Sequence, residues 1–244
     1  MASALLSTAI LANAHLTAET PAWASPANKG LPVLSANLHV TNQSKDKFLQ
    51  LLAEKQPAIV FVQEVSPSWA AVLDTLPAYP YRKIVPREGP FGIAVLSKVP
   101  LEDVTVRSEG ALDIPAIAAT VTWDGKKVDI RAVHPFPPLG AQAYVERNRM
   151  LARHAAELTA TGRPAIMAGD FNATPWSAGL SVVQKAGMVR ATSLAPTWPA
   201  HLPAPAVIPI DHITVSRHWG VLSNGRGPDI GADHFPVMAT LCLK

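Results

Sequence analysis

The chain has 244 residues, of which 48% are apolar and 16% charged, with a net charge of +3. That composition belongs to a folded protein and excludes a disordered one; the length holds one large domain or two small ones. The mild positive charge permits an anionic partner without demonstrating one, and a lone cysteine, Cys242, excludes an internal disulfide.

Residues 1–30 differ from the rest of the chain. The run Ala4 to Ala12 is apolar but too short to span a bilayer. It reads as a signal-like segment lacking a basic start, as the stump of a membrane region, or as a packed arm. From Leu31 to Lys244 strand-like and helix-like blocks alternate. Leu31 to Leu38 and Ala58 to Val62 are apolar runs suited to buried strands. Lys45 to Lys55 has the apolar spacing of an amphipathic helix. Ser66-Pro67 supplies an N-cap and a first-turn proline for a helix through Leu76.

Ile84-Val85, Phe91 to Leu96 and Leu101 to Val106 read as strands. Ala116 to Trp123 and Val128 to Val133 form a hairpin across Asp124-Gly125. Gln142 to Leu158 is the clearest helix, with Tyr144, Val145, Leu151, Ala155 and Leu158 on its apolar face and Gly162 ending it. A strand through Ile166-Met167, a short helix near Trp176 to Ala186, a proline-rich loop from Pro196 to Pro209, and strands at Ile210 to Val215 and Pro236 to Leu241 complete the chain. There is no internal repeat and no linker after Gly30. Many strands with few helices predict one domain of two stacked mixed sheets with helices outside.

Polar residues recur where these strands end. Asn37, Glu64, His134, Asp170 with Asn172, Asp211, and Asp233-His234 each sit beside an apolar run. One such residue is an ordinary cap or turn. Six such places, all Asp, Glu, Asn or His, point to a rim where strand ends gather. Glu64 and Asn37 are oxygen ligands suited to Mg²⁺. Histidines paired with carboxylates suit the attack of water on a phosphodiester. No Cys/His cluster, phosphate-binding glycine loop or Gly-x-Ser-x-Gly elbow is present.

The ordered set Asn37, Gln63-Glu64, His134, Gly169-Asp170-Phe171-Asn172, Ile210-Asp211-His212, Asp233-His234 resembles the endonuclease/exonuclease/phosphatase superfamily, which includes DNase I-like nucleases, sphingomyelinases and inositol-phosphate phosphatases. The likeness covers Pro32 to Leu241 and is closer to bacterial members with Gly-Asp-Phe-Asn-Ala-Thr-Pro-Trp-Ser, many of which carry membrane helices ahead of the catalytic domain. The resemblance implies a four-layer α/β sandwich and a divalent ion, Mg²⁺ or Mn²⁺, on Glu64 and Asn37 with Asp233 near it. It implies that Asp170 positions or activates water and that Asn172 and His134 hold the phosphate. His234 would be a second catalytic histidine, oriented by Asp211. His39 stands where some members have a further acid.

The expected activity is phosphodiester hydrolysis of a nuclease-like kind. A phosphatase or phospholipase-like enzyme and a non-catalytic binding domain are the alternatives. The expected partner is a phosphodiester, nucleic acid or a small or lipid diester, with no obligate protein partner. An extracytoplasmic or membrane-associated location is expected over a cytoplasmic one. Arg147, Arg149 and Arg153 read as a solvated helix face, and Trp176 and Trp198 as caps on the core edge with stacking as the alternative. Pro135 to Gly140 and Pro196 to Pro209 contain no Lys or Arg, which argues against tight duplex binding.

Overall fold

The computed structural model describes residues 29–110, 112–203 and 206–244. The apolar segment Ala4 to Ala12 lies outside them. In chain order the elements are β1 (Leu31–Asn37), α1 (Lys45–Lys55), β2 (Ile59–Gln63), α2 (Pro67–Leu73), β3 (Tyr81–Val85), β4 (Ile93–Ser97), β5 (Glu102–Glu109) and β6 (Ile114–Trp123). Then come β7 (Lys126–Ala132), α3 (Ala141–Ala160), β8 (Ala165–Asp170), α4 (Ala178–Lys185), β9 (Met188–Arg190), β10 (Asp211–Ser216), β11 (Trp219–Arg226) and β12 (Val237–Leu243).

The strands form two six-stranded mixed sheets, ordered β11-β12-β1-β2-β4-β3 and β5-β6-β7-β8-β10-β9. Their inner faces meet in one apolar layer, with Val33, Phe61 and Val95 from the first sheet against Ile130, Ile166 and Ile213 from the second. The outer face of the first sheet is covered by α1 and α2 through Phe48, Leu51, Trp69 and Leu73. That of the second is covered by α3 and α4 through Leu151, Leu158, Leu180 and Val183. The result is the expected four-layer α/β sandwich. Strands buried on both faces read as continuous apolar runs, which is why β1, β2 and β8 were legible.

Strand direction builds the rim. β1 and β2 run parallel and end together, Asn37 beside Gln63. β12 runs antiparallel to β1 and so starts at that end, Val237 beside Ser35. β7 and β8 are parallel, and β10 starts beside the end of β8, Asp211 opposite Asp170.

Three expectations need correction. β3 begins at Tyr81, and the edge strands β9 and β11 are additional. β11, rich in Gly, Ser and Asn, has little strand preference and is fixed by its pairing with β12. On α3, Tyr144 and Val145 are exposed, while the buried face is Arg147, Met150, Leu151, His154, Ala155 and Leu158. Arg147 is only 3% exposed, so it does not belong to a solvated face. Two polar residues on the inner stripe hid the true face from a reading based on apolar spacing.

Candidate active site

The rim gathers every residue named from the strand ends. The turn after β8 is the centre. Gly169 is required there because a Cβ would lie 1.8 Å from the Val133 carbonyl oxygen of the neighbouring strand. Phe171 goes inward against His212, ring centroids 5.4 Å apart. Asn172 takes a left-handed φ of 48°, which Asn tolerates better than most residues. Its backbone N–H donates to Asp170 Oδ1 at 2.8 Å and its side-chain amide to the Pro135 carbonyl at 3.1 Å. Arg147 of α3 donates to the Asn172 carbonyl oxygen and forks onto Asn148 Oδ1. A buried guanidinium therefore clamps the turn that carries Asp170, a role its sequence context did not signal.

Asp170 Oδ2 is the hub. Asn37 Nδ2 donates to it at 3.3 Å, His134 Nε2 lies 3.5 Å away and His234 Nε2 3.7 Å away. His234 Nδ1 lies 2.9 Å from Asp211 Oδ2. The Asp211 backbone N–H donates to Thr197 Oγ1 at 3.3 Å, tying the proline-rich loop to the start of β10. On the first sheet, Asn37 Nδ2 also donates to Glu64 Oε1 at 3.0 Å, and the Val40 N–H donates to Glu64 Oε2 at 2.9 Å. Asp233 stands apart from this hub. Its Oδ1 lies 2.8 Å from His39 Nδ1, outside hydrogen-bonding alignment, and its Oδ2 accepts from Trp198 Nε1 at 3.2 Å. Trp198 also lies beside the His234 ring, centroids 6.3 Å apart, so it roofs the site instead of merely capping the core. Trp176, like Trp198, is an exposed side chain.

Burial opposes charge on all these groups, and pairing decides which are ionised. Burial pushes the Asp170 carboxyl up, but His234, His134 and the Asn172 N–H outweigh it and hold it down at about 2. Burial pulls the His234 imidazole down, yet Asp211 and Asp170 raise it to about 10. His134 is also held above its ordinary value: burial lowers it, and Asp170 and Glu64 more than compensate. Burial and the Asp170 charge push the Asp211 carboxyl up, against the pull of His234. The proton of that pair resides on the imidazole, because the ring faces two carboxylates. His212, on the opposite side of β10, is pushed down to about 3 by burial and contacts the Ala173 carbonyl at 2.8 Å. It is a neutral packing residue.

Among the described residues, two places offer ligand atoms to a divalent ion. Ligand-capable atoms of Asp170, Asp211 and His234 all lie within 4.8 Å of one another. An ion there would have to displace a proton that His234 holds tightly. At Glu64 and Asn37, each Glu64 oxygen accepts only one N–H, and Asn37 Oδ1 accepts only the His39 N–H at 2.9 Å. Each oxygen therefore keeps a lone pair, and a hard oxygen set of this kind fits Mg²⁺ or Mn²⁺. Buried Asp211 Oδ1 and His134 Nδ1 have no hydrogen-bond partner in the protein, as expected of groups that await water or ligand.

The model of the Endonuclease/Exonuclease/phosphatase family matches residues 34–234. This chain belongs to that family. Endonuclease, exonuclease and phosphatase activities are all hydrolyses of phosphate esters, and membership assigns the chain to that class of hydrolase. Among solved structures, the family protein from Bacteroides vulgatus is 20% identical with a TM-score of 0.73, covering 88% of this chain and 100% of that one. Humanized D. rerio TDP2 is 19% identical with a TM-score of 0.72, covering 87% and 98%. D. rerio TDP2 with a single-strand DNA product is 18% identical with a TM-score of 0.71, covering 88% and 99%. These likenesses establish the shared DNase I-like sandwich. No curated protein matches the chain in sequence.

Proposed function

We propose that the protein is a divalent-metal-dependent phosphodiester hydrolase of nuclease-like mechanism, acting on a small diester or a splayed strand and not on a duplex. The observation that carries this reading is the convergence of Asn37, His134 and His234 on one oxygen of Asp170, with the Glu64–Asn37 pair beside it. Glu64 and Asn37 would hold Mg²⁺ or Mn²⁺, which neutralises phosphate charge and polarises bound water when present. Asp170, held ionised, orients the attacking water. His234 and His134 present N–H donors to the non-bridging oxygens, where negative charge builds in the transition state. Asp211 keeps His234 oriented and charged. Trp198 and Asp233 close one side of the site.

The solved TDP2 complex with single-strand DNA supports a nucleic-acid type of substrate at the level of the family. The loops of this chain favour something smaller. Pro135 to Gly140 and Pro196 to Pro209 have no Lys or Arg, and each phosphate contact from such a residue adds about one unit to the salt slope of binding. A lipid phosphate ester is the second reading, favoured by exposed Leu139, Trp198 and Leu202 on this rim.

The test is hydrolysis of bis(p-nitrophenyl) phosphate. EDTA is expected to abolish it and Mg²⁺ or Mn²⁺ to restore it, while Glu64→Ala loses metal binding by titration calorimetry and keeps its fold. Duplex DNA is expected to be cleaved weakly. Full activity in EDTA, or tight duplex binding with a steep salt slope, would overturn the reading.

A further inference from the structure

A trough lies beside the site, between α3 and the ends of β5 and β6. Its inner end is tied to the site through aromatic rings. Phe91 lies 5.7 Å from the His134 ring and 5.7 Å from Phe136. Phe136 then forms a wall common to two adjoining hollows, of about 250 and about 310 Å³. Ile114 and Glu146 line both. The outer hollow is flanked by Leu112, 56% exposed, and Leu139, 77% exposed. Two leucines so open, at the mouth of the outer hollow, leave hydrocarbon in water unless something covers them.

The charges of the trough decide what covers it. Arg147 is turned inward onto the Asn172 carbonyl, and Arg153 is paired with Glu109. That leaves Arg149 and Glu146, one of each sign and neither in an ion pair. In the outer hollow Glu146 is the only charged lining residue among those described. In that outer hollow a phosphate would meet the Glu146 carboxylate and no cation, Arg149 lining only the inner hollow. A hydrocarbon arm would meet Phe136, Ile114, Leu112 and Leu139.

We propose that this trough is a subsite for a hydrocarbon arm of the substrate, an alkyl or acyl chain that leaves the phosphate past Phe136 and lies between Leu112 and Leu139. The proposal rests on the reading of the Asp170 centre as a phosphodiester hydrolase and names the kind of ester it takes. Fully burying a methylene strengthens binding by roughly four-fold, and a trough open on one side captures about half of that free energy, or about two-fold per methylene.

The experiment is equilibrium binding, by titration calorimetry in Mg²⁺, of ethyl, butyl, hexyl and octyl phosphate below their micelle-forming concentrations. Affinity is expected to rise about two-fold per added methylene. Leu139→Ser and Leu112→Ser are expected to flatten that rise while leaving the melting temperature unchanged, because both side chains are exposed. Affinity independent of chain length, an undiminished rise in both variants, or thymidine monophosphate binding more tightly than octyl phosphate would overturn the proposal. Hydrolysis of methyl p-nitrophenyl phosphate by the wild-type protein is measured alongside. Its absence would overturn the catalytic reading, while the binding series still reports on the trough.

Discussion

Asp170 has the place of a general base and the wrong affinity for a proton. With its carboxyl held at about 2, it binds a proton too weakly to be an efficient base near neutrality. In the proposed mechanism its work is to orient water and to favour the charged forms of the two imidazoles it faces. Asp170→Asn keeps the shape and removes the charge. It is expected to lower kcat by about 10²- to 10³-fold, the usual worth of one preorganised electrostatic group at the reacting centre, with KM changed only a few-fold in steady-state kinetics. A loss confined to KM would assign Asp170 to substrate binding. Asp211 lies 2.9 Å from His234, and in the proposed mechanism the two form a unit. The double variant Asp211→Ala/His234→Ala is expected to be little worse than His234→Ala alone. Additive losses would show two independent contributions.

The elements hold this geometry through contacts that are neither catalytic nor local. The parallel pair β7 and β8 approaches so closely at Gly169 that a methyl group would overlap the Val133 carbonyl. Gly169→Ala is expected to cost about 3 kcal/mol or more in denaturant unfolding, at the upper end for overpacking. A melt unchanged from wild type would mean the two strands part freely. Helix α3 contributes Arg147, whose guanidinium bonds the Asn172 carbonyl. Arg147→Met leaves that buried carbonyl unsatisfied, which costs about 1–3 kcal/mol, and it frees the turn beneath Asp170. Turnover is expected to fall more than substrate affinity, and Arg147→Lys to recover part of it. Equal stability and equal kcat in Arg147→Met would remove the clamp from the account.

Buried histidines set how the folded protein responds to acid and alkali. Burial depresses His154 and His212 to about 3 from an ordinary 6.5. The unfolded chain therefore binds more protons below 6.5, and their contribution to stability is lost as pH falls from 6.5 toward 3. His234 is raised to about 10, so its contribution is present below 6.5 and is lost as pH rises from there through 10. In EDTA the melting temperature is expected to peak near pH 6.5 and to fall on both sides. His154→Gln is expected to flatten the acid side. A melting temperature that rises between pH 6.5 and 5 would contradict this assignment of neutral and charged histidines.

Much of this protein is written in local pattern. The buried runs of β1, β2 and β8, the hairpin at Asp124-Gly125, and the polar residue that closes each strand follow from hydrophobic period and turn chemistry, both properties of a few adjacent residues. Asn37, Glu64, His134, Asp170, Asn172, Asp211 and His234 were nameable for that reason. Their assembly was not local. Asn37 meets Asp170 across 133 positions, and Asp211 faces Asp170 only because β10 runs antiparallel to β8 in one register. Edge strands β9 and β11 exist because a neighbour offers them hydrogen bonds, which their own residues do not announce. Arg147 and His154 interrupt the apolar stripe of α3, and only packing shows that they face inward with partners. Charge state is decided at the same level: two facing carboxylates outweigh burial and make His234 a cation, whereas burial, with Arg190 beside it, keeps His212 neutral. Sequence pattern supplies residue types, and the packing of two sheets supplies the low dielectric and the distances that set their chemistry.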